Sequence, residues 1–338
     1  MSAVASAALA AEAGSQRRWS GWLPTIALAA LWPLLAAAVL GEVAATYAVQ
    51  VAIAVIAVAG LHVLVHWSGQ VSLAHAALLG VGAFATARAN ADAALPLPLS
   101  ILAGVAAATA VSLMLGIPAL RITGFALAVV TLAFGVAASR WLFVQHWLVP
   151  QVSGVPLRSH TLFGLDVTRS RSLIVPFGLA ASGVVAATAV IGASALGRRL
   201  RLSAHDEEVA ASYGIDVPEH KLFAFVFAGA CAGLAGALVD VSIGRVGPGA
   251  FTSQRSVLLL AAVLLGGAGS VAGTVAAATA FTLLPLVPGA ARYLDLLAPL
   301  FILLTVSVSP AGINGLTASL RLRNGRARQS YVQLEDRA

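Results

Sequence analysis

Seven histidines (His62, His66, His75, His146, His160, His205 and His220) have the broadest chemical repertoire in this sequence. Imidazole ligates metals and moves protons near neutral pH. Only His62 and His66 form a useful pair, four residues apart and so on one face of a helix. No cysteine or carboxylate joins them, and polar residues at a helix end explain them better than a metal does. The single cysteine, Cys231, lies in an apolar run, which leaves no internal disulfide and no cysteine-based zinc spacing. The sequence has no Gly-x-x-x-x-Gly-Lys-Ser/Thr phosphate loop, His-Glu-x-x-His or Gly-x-Ser-x-Gly motif. It therefore offers no ATPase site of its own, and no cluster of acids, histidines and a nucleophile suited to a membrane-embedded enzyme. Glu42, Asp240 and Asp295 fall at the ends of apolar runs. Carriers driven by protons or sodium often place carboxylates inside the membrane, so this scarcity counts against one.

Three other segments can do physical work. In the first, Ser68 to Ala87, the polar residues Gln70, Ser72 and His75 interrupt a glycine-rich, moderately apolar stretch. In the second, Val257 to Leu284, an apolar run is broken by Gly266, Gly267, Gly269, Ser270 and Gly273. Glycine-broken apolar segments point to a translocation site, and close helix packing is the competing reading. The third is the charged loop Gly197 to Lys221, which opens with Arg198, Arg199 and Arg201. His205, Asp206, Glu207 and Glu208 are expected to start a short helix, with acids at its positive end and Ser203 as its cap. Gly214 ends that helix and Pro218 precedes the next apolar run. It reads either as a solvated connector or as a helix that docks into another protein.

The elements that position these segments are membrane helices. The 338 residues are 59% hydrophobic and 10% charged, with mean hydropathy +0.93, against about 25% charged in soluble domains. Several apolar runs exceed the ~18–20 residues that cross hydrocarbon. Spans are expected at Pro24–Leu40, Val43–Val65, Leu95–Leu120, Ile122–Ala138, Ser172–Leu196, Leu222–Val239 and Tyr293–Val308, with the two glycine-interrupted segments in addition. The fold class is an all-α polytopic membrane protein of about 8–10 transmembrane or re-entrant helices. Residues 1–20 form an N-terminal tail, 21–315 the membrane domain with the 197–221 loop, and 316–338 a basic tail. The net charge of +7 is concentrated in arginine clusters between spans and at the ends, as expected of cytoplasmic segments rather than of nucleic-acid binding. Both termini are expected in the cytoplasm if Val257–Leu284 is a re-entrant bend. The polar stretch Trp141 to Arg171 then lies outside.

Four motifs carry a family resemblance. The loop's D-E-x-x-A-x-x-x-G-I places Asp206, Glu207, Ala210, Gly214 and Ile215 in the pattern of a coupling segment. SGQVSLAHAALLGVGAF supplies Gly69, Gln70, Ser72, Leu73, His75, Ala76 and Ala77, with Ala74 and Leu78 where the pattern has glycine and phenylalanine. RITGFALAVVTLAFG (Arg121 to Gly135) and LLGGAGSVAGTV complete the set. Together, in this order, they resemble the LivM-type permease subunits of branched-chain amino acid ABC importers. The resemblance implies an importer subunit in a bacterial inner membrane, moving branched-chain amino acids or a related small polar solute by alternating access. It implies as partners a second homologous permease, two cytoplasmic ATPases and an extracytoplasmic binding protein. ATP and Mg would sit on the ATPases, with no cofactor on this chain. His205, Asp206, Glu207, Glu208, Ala210, Ala211 and Gly214 would contact the ATPase. Gln70, Ser72, His75, Gly266, Gly267, Gly269 and Ser270 would lie on the translocation pathway. A self-sufficient secondary carrier or channel is the alternative.

Overall fold

A computed structural model describes residue 33 and residues 36–286, apart from 123, 150–153, 159–160, 163–164 and 268–270. Most of the expected span Pro24–Leu40, the expected span Tyr293–Val308 and both tails lie outside the described residues, as do Gly269 and Ser270.

Ten helices have both ends among the described residues, in order: α1 Glu42–His62, α2 His75–Ala91, α3 Leu97–Ala119, α4 Phe125–Arg140, α5 Ser170–Ala193, α6 Ala195–His205, α7 Glu207–Ser212, α8 Val217–Ile243, α9 Ser253–Gly266 and α10 Val271–Leu283. Six helical segments among the described residues are long and apolar enough to cross a membrane. A π-turn, Val63–Trp67, extends α1. Residues 68–74 then leave the helix, and α2 starts afresh. The glycine-rich Ser68–Ala87 segment is thus a broken element.

Two faces emerge from the chain's turns. The C-terminal ends of α1, α3 and α5, the arginine-bearing α6, and the start of α8 share one face. The opposite face gathers the ends of α2 and α8 and the loop between α4 and α5. There β1 (Val155–Pro156) pairs antiparallel with β4 (Arg245–Val246). A two-residue hairpin, β2 (Thr161–Leu162) with β3 (Leu165–Asp166), lies in the same loop. Asn90 at the end of α2 accepts from Arg158 N at 2.7 Å, so the polar stretch expected between spans is tied down.

Helices α1, α2 and α8 form the centre and are the most heavily buried. They are apolar all round, as buried helices must be. Small residues decide how they approach. A Cβ on Gly82 would strike the backbone of Gly233, and one on Gly236 would strike the Leu79 carbonyl. Gly104 lies on Thr86 and Gly82, and Gly229 on Ser112. Ser112 also donates to Phe225 O at 2.7 Å, joining α3 to α8. Between helices in lipid, this close packing supplies the association energy that hydrophobicity cannot.

The segment expected at Val257–Leu284 starts earlier and bends. Helix α9 begins at Ser253, and with 14 residues it is about 21 Å long. Helix α10, with 13 residues, is about 20 Å long. Each alone falls short of a ~30 Å hydrocarbon core, and α9 counts among the six long segments only with the turn from Pro248 that precedes it. The backbone at Gly266 packs on the backbone of Thr274, which two helices in line could not do. Gly267, at φ +80, opens the reversal. The pair is a hairpin of half-length helices.

Replacing Gly236 with Leu drives a side chain into the α2 backbone. We expect loss of monodisperse protein in detergent, or a destabilisation of at least about 1–3 kcal/mol. Gly183, with nothing within 4 Å of a built Cβ, tolerates the same change. Size-exclusion profiles and thermal melts of the two variants compare them directly.

Candidate functional site

A helix that starts inside a membrane has amide groups with no water to satisfy them. Side chains from distant helices serve the start of α2. Leu73 N donates to Thr131 Oγ1 of α4 at 3.0 Å. Ala76 N donates to Ser256 Oγ of α9 at 2.9 Å. His75 reaches α1, its Nε2–H donating to Ala57 O at 2.9 Å, which leaves Nδ1 unpartnered among the described residues. Ala57 is ten residues before Trp67, about 15 Å along the helix, so this junction lies at mid-depth. It brings together the starts of α2 and α9 with the middles of α1 and α4.

The expected pathway residues separate into three places. Ser72 and His75 are at the junction but are fully buried. They therefore brace the break and do not line open space in this conformation. Gln70 is nearer the arginine face, buried, with Oε1 unpartnered among the described residues. Gly266 and Gly267 form the start of the hairpin tip. That tip lies beside the end of α1, where His66 Nε2–H donates to Val263 O at 3.0 Å and His62 Nδ1 pairs with Thr274 Oγ1 at 2.8 Å. With these partners, His62 and His66 pin the hairpin to α1, and no group of three metal-type ligands occurs among the described residues.

The charged loop folds as two helices rather than one. Ser203 does not cap the second. It sits within α6, donating back to Arg199 O at 2.9 Å, because α6 runs on to His205. Asp206 is the cap of α7, accepting from Glu208 N and Val209 N, each at 3.0 Å. Gly214, at φ +73, closes α7 with Ile215 N bonded to Ala210 O at 3.1 Å, a Schellman ending. His205, Asp206, Glu207 and Glu208 are exposed, as are Ala211 and Gly214, whereas Ala210 is buried against the body. The sequence reading missed two exposed apolar side chains on this helix, Val209 (41% exposed) and Tyr213 (76%). Their spacing of four was the available signal.

This loop touches the break directly. Gly69 lies against Ala204, where a Cβ would come within 3.3 Å of the Ala204 Cβ. Lys221 Nζ meets Glu207 Oε1 at 2.6 Å, and both line a small cleft with Ser68 and Gln70. The Arg201 guanidinium stands 5.4 Å from the centre of the Trp67 ring, within cation–π range. Trp67 in turn meets His62 edge-on, with ring centres 5.5 Å apart. A continuous set of contacts therefore runs from α6 through Trp67 and His62 to α10.

A family model described as branched-chain amino acid transport system, permease component, matches residues 43–306. The high-affinity branched-chain amino acid transport system permease protein LivM of Escherichia coli K12 is 29% identical over 330 residues, covering 90% of this chain and 76% of that protein. Its counterpart in Salmonella typhimurium is 31% identical over 236 residues, covering 62% of this chain and 55% of that protein. No solved structure matches significantly.

The cap sets the stability of α7, which at six residues is far too short to persist alone. Asp206→Ala is expected to cost about 1 kcal/mol. Hydrogen exchange at the α7 amides should then rise roughly fivefold, with no change in α8.

Proposed function

This chain belongs to the permease-component family of branched-chain amino acid transport systems, and from that membership we propose that it forms half of a pore moving branched-chain amino acids or a similar small polar solute. It is a multi-pass permease subunit of an ABC importer in the inner membrane. Its partners in this reading are a second homologous permease, two cytoplasmic ATPases that carry the ATP and Mg, and an extracytoplasmic binding protein. The chain itself binds no cofactor and hydrolyses no ATP. The arginine face is cytoplasmic under the positive-inside rule, with both termini on that side. The 197–221 loop is the coupling element of a membrane domain spanning 21–315.

The observation that carries this reading is the construction of α7. It is capped at both ends, presents Val209 and Tyr213 outward, and is anchored to the root of α8 by the Glu207–Lys221 ion pair, beside Ser68 and Gln70 of the broken segment. A mere connector needs none of these devices. Tyr213 has the character of an interface anchor, a large side chain exposed on a rigid support. Closure of the ATPases would push on α7, and the push would reach α2 through Gly69 and α10 through Trp67. The mid-depth junction would then switch between inward- and outward-facing arrangements. Gln70, Ser72, His75 and the glycines of the hairpin act as the moving joint of the pathway.

The test is co-expression with the companion permease and ATPase subunits, followed by ATP turnover and uptake in lipid vesicles. Tyr213→Ala should weaken ATPase association roughly tenfold, the scale of an aromatic anchor worth about 1–2 kcal/mol. Glu207→Arg sets like charges together at Lys221, and should leave assembly in place while uptake per ATP falls. Uptake by this chain without any ATPase would instead establish a self-sufficient carrier or channel.

A further inference from the structure

Arg255 is the third residue of α9, adjacent to Ser256, which binds the α2 amide at the mid-depth junction. Its depth is therefore that of Ala57 and His75, far from either membrane face. It belongs to one of the six apolar spans, and its side chain is exposed on this chain, as is that of Gln254. Its side chain makes one hydrogen bond to a described residue, Nη1 to Ala250 O at 3.2 Å. Neither the Arg88–Asp92 nor the Lys221–Glu207 ion pair includes it.

An arginine at this depth is costly beside lipid tails, and such residues face a water-filled cavity or a substrate route. Guanidinium also presents a planar fork of donors that matches a carboxylate in two parallel bonds. Amines, amides and hydroxyls gain no such match. The neighbouring residues on the same turn, Ser253 and Gln254, add polar groups. Thr252 does not cap the helix with its side chain, so the positive end of α9 points the same way.

We propose that Arg255 is a solute-binding residue of the translocation pathway, holding the carboxylate of the amino acid at mid-depth. This rests on the reading of the chain as a permease for amino-acid-like solutes. The carboxylate is the group every such solute shares, so one fixed cation suits side chains of different shapes. The loop Gly244–Thr252, which enters from the opposite face, would lead the solute to it.

The complete complex with its companion permease, ATPases and binding protein provides the test, with radiolabelled leucine as the probe. Arg255→Gln should raise the KM for leucine uptake roughly 10–100-fold, the scale of a lost charge-assisted bond, with the variant still assembling with its partner subunits on size-exclusion chromatography. Arg255→Lys should recover part of that loss. In a second variant, Gln254→Cys, a membrane-impermeant methanethiosulfonate should react at residue 254, since native Cys231 is buried. Leucine should slow the reaction, and adding Arg255→Gln should remove that protection. Unchanged leucine uptake by Arg255→Gln, or a residue 254 closed to the reagent, overturns this assignment alone. A wild-type complex that takes up no leucine overturns the amino-acid reading and this assignment together.

Discussion

Amide groups stranded in the middle of a membrane constrain everything else in this molecule. The chain turns back after Trp67 and restarts as α2 at mid-depth, where water cannot reach its first N–H groups. Thr131 and Ser256 supply the missing acceptors. An unmet backbone donor in hydrocarbon costs several kcal/mol, so these hydroxyls fix α4 and α9 against the start of α2. His75 adds a tie to α1. Four helices are thus registered by one short segment.

That registration works because the helices come close enough. Gly82, Gly233 and Gly236 remove the side chains that would hold α2 and α8 apart. Lipid tails are as apolar as leucine, so burial alone gives membrane helices little reason to associate. Close contact and short polar bonds do, and the Ser112–Phe225 bond adds to the same interface. The result is a rigid centre of α1, α2 and α8. The broken pieces, α9 and α10, pack on its side.

Rigidity at the centre gives the arginine-face loop something to act upon. Helix α7 is not an isolated surface feature, because Lys221 and Glu207 bind it to the root of α8. Ala204 presses on Gly69, and Arg201 covers Trp67. Force applied at α7 therefore has two routes inward. One ends at the break before α2 and the other at the hairpin of α9 and α10. These are the two places where the backbone is interrupted, and hence where small displacement meets least resistance.

The membrane class and a short helix in the charged loop were legible in the residues alone, and two glycine-interrupted segments were marked as breaks with close helix packing as the competing reading. Hydropathy, glycine and capping residues act over a few neighbours, so a linear reading detects them. It misjudged the cap, because Ser203 and Asp206 both suit that role and only the length of α6 chooses between them. It could not say that Ser72 and His75 would be buried while Gln70 lay at another level. Those outcomes depend on the bonds that the neighbouring Leu73 and Ala76 make to residues 58 and 180 positions away. Arg255 shows the limit most clearly. The apolar run seemed to begin at Val257, which left this arginine outside the membrane. The fold returns the chain to mid-depth before α9 begins, and that places the charge beside the junction of four helices. Depth is set by how far a chain travels back between helices, and hydropathy carries no record of that distance.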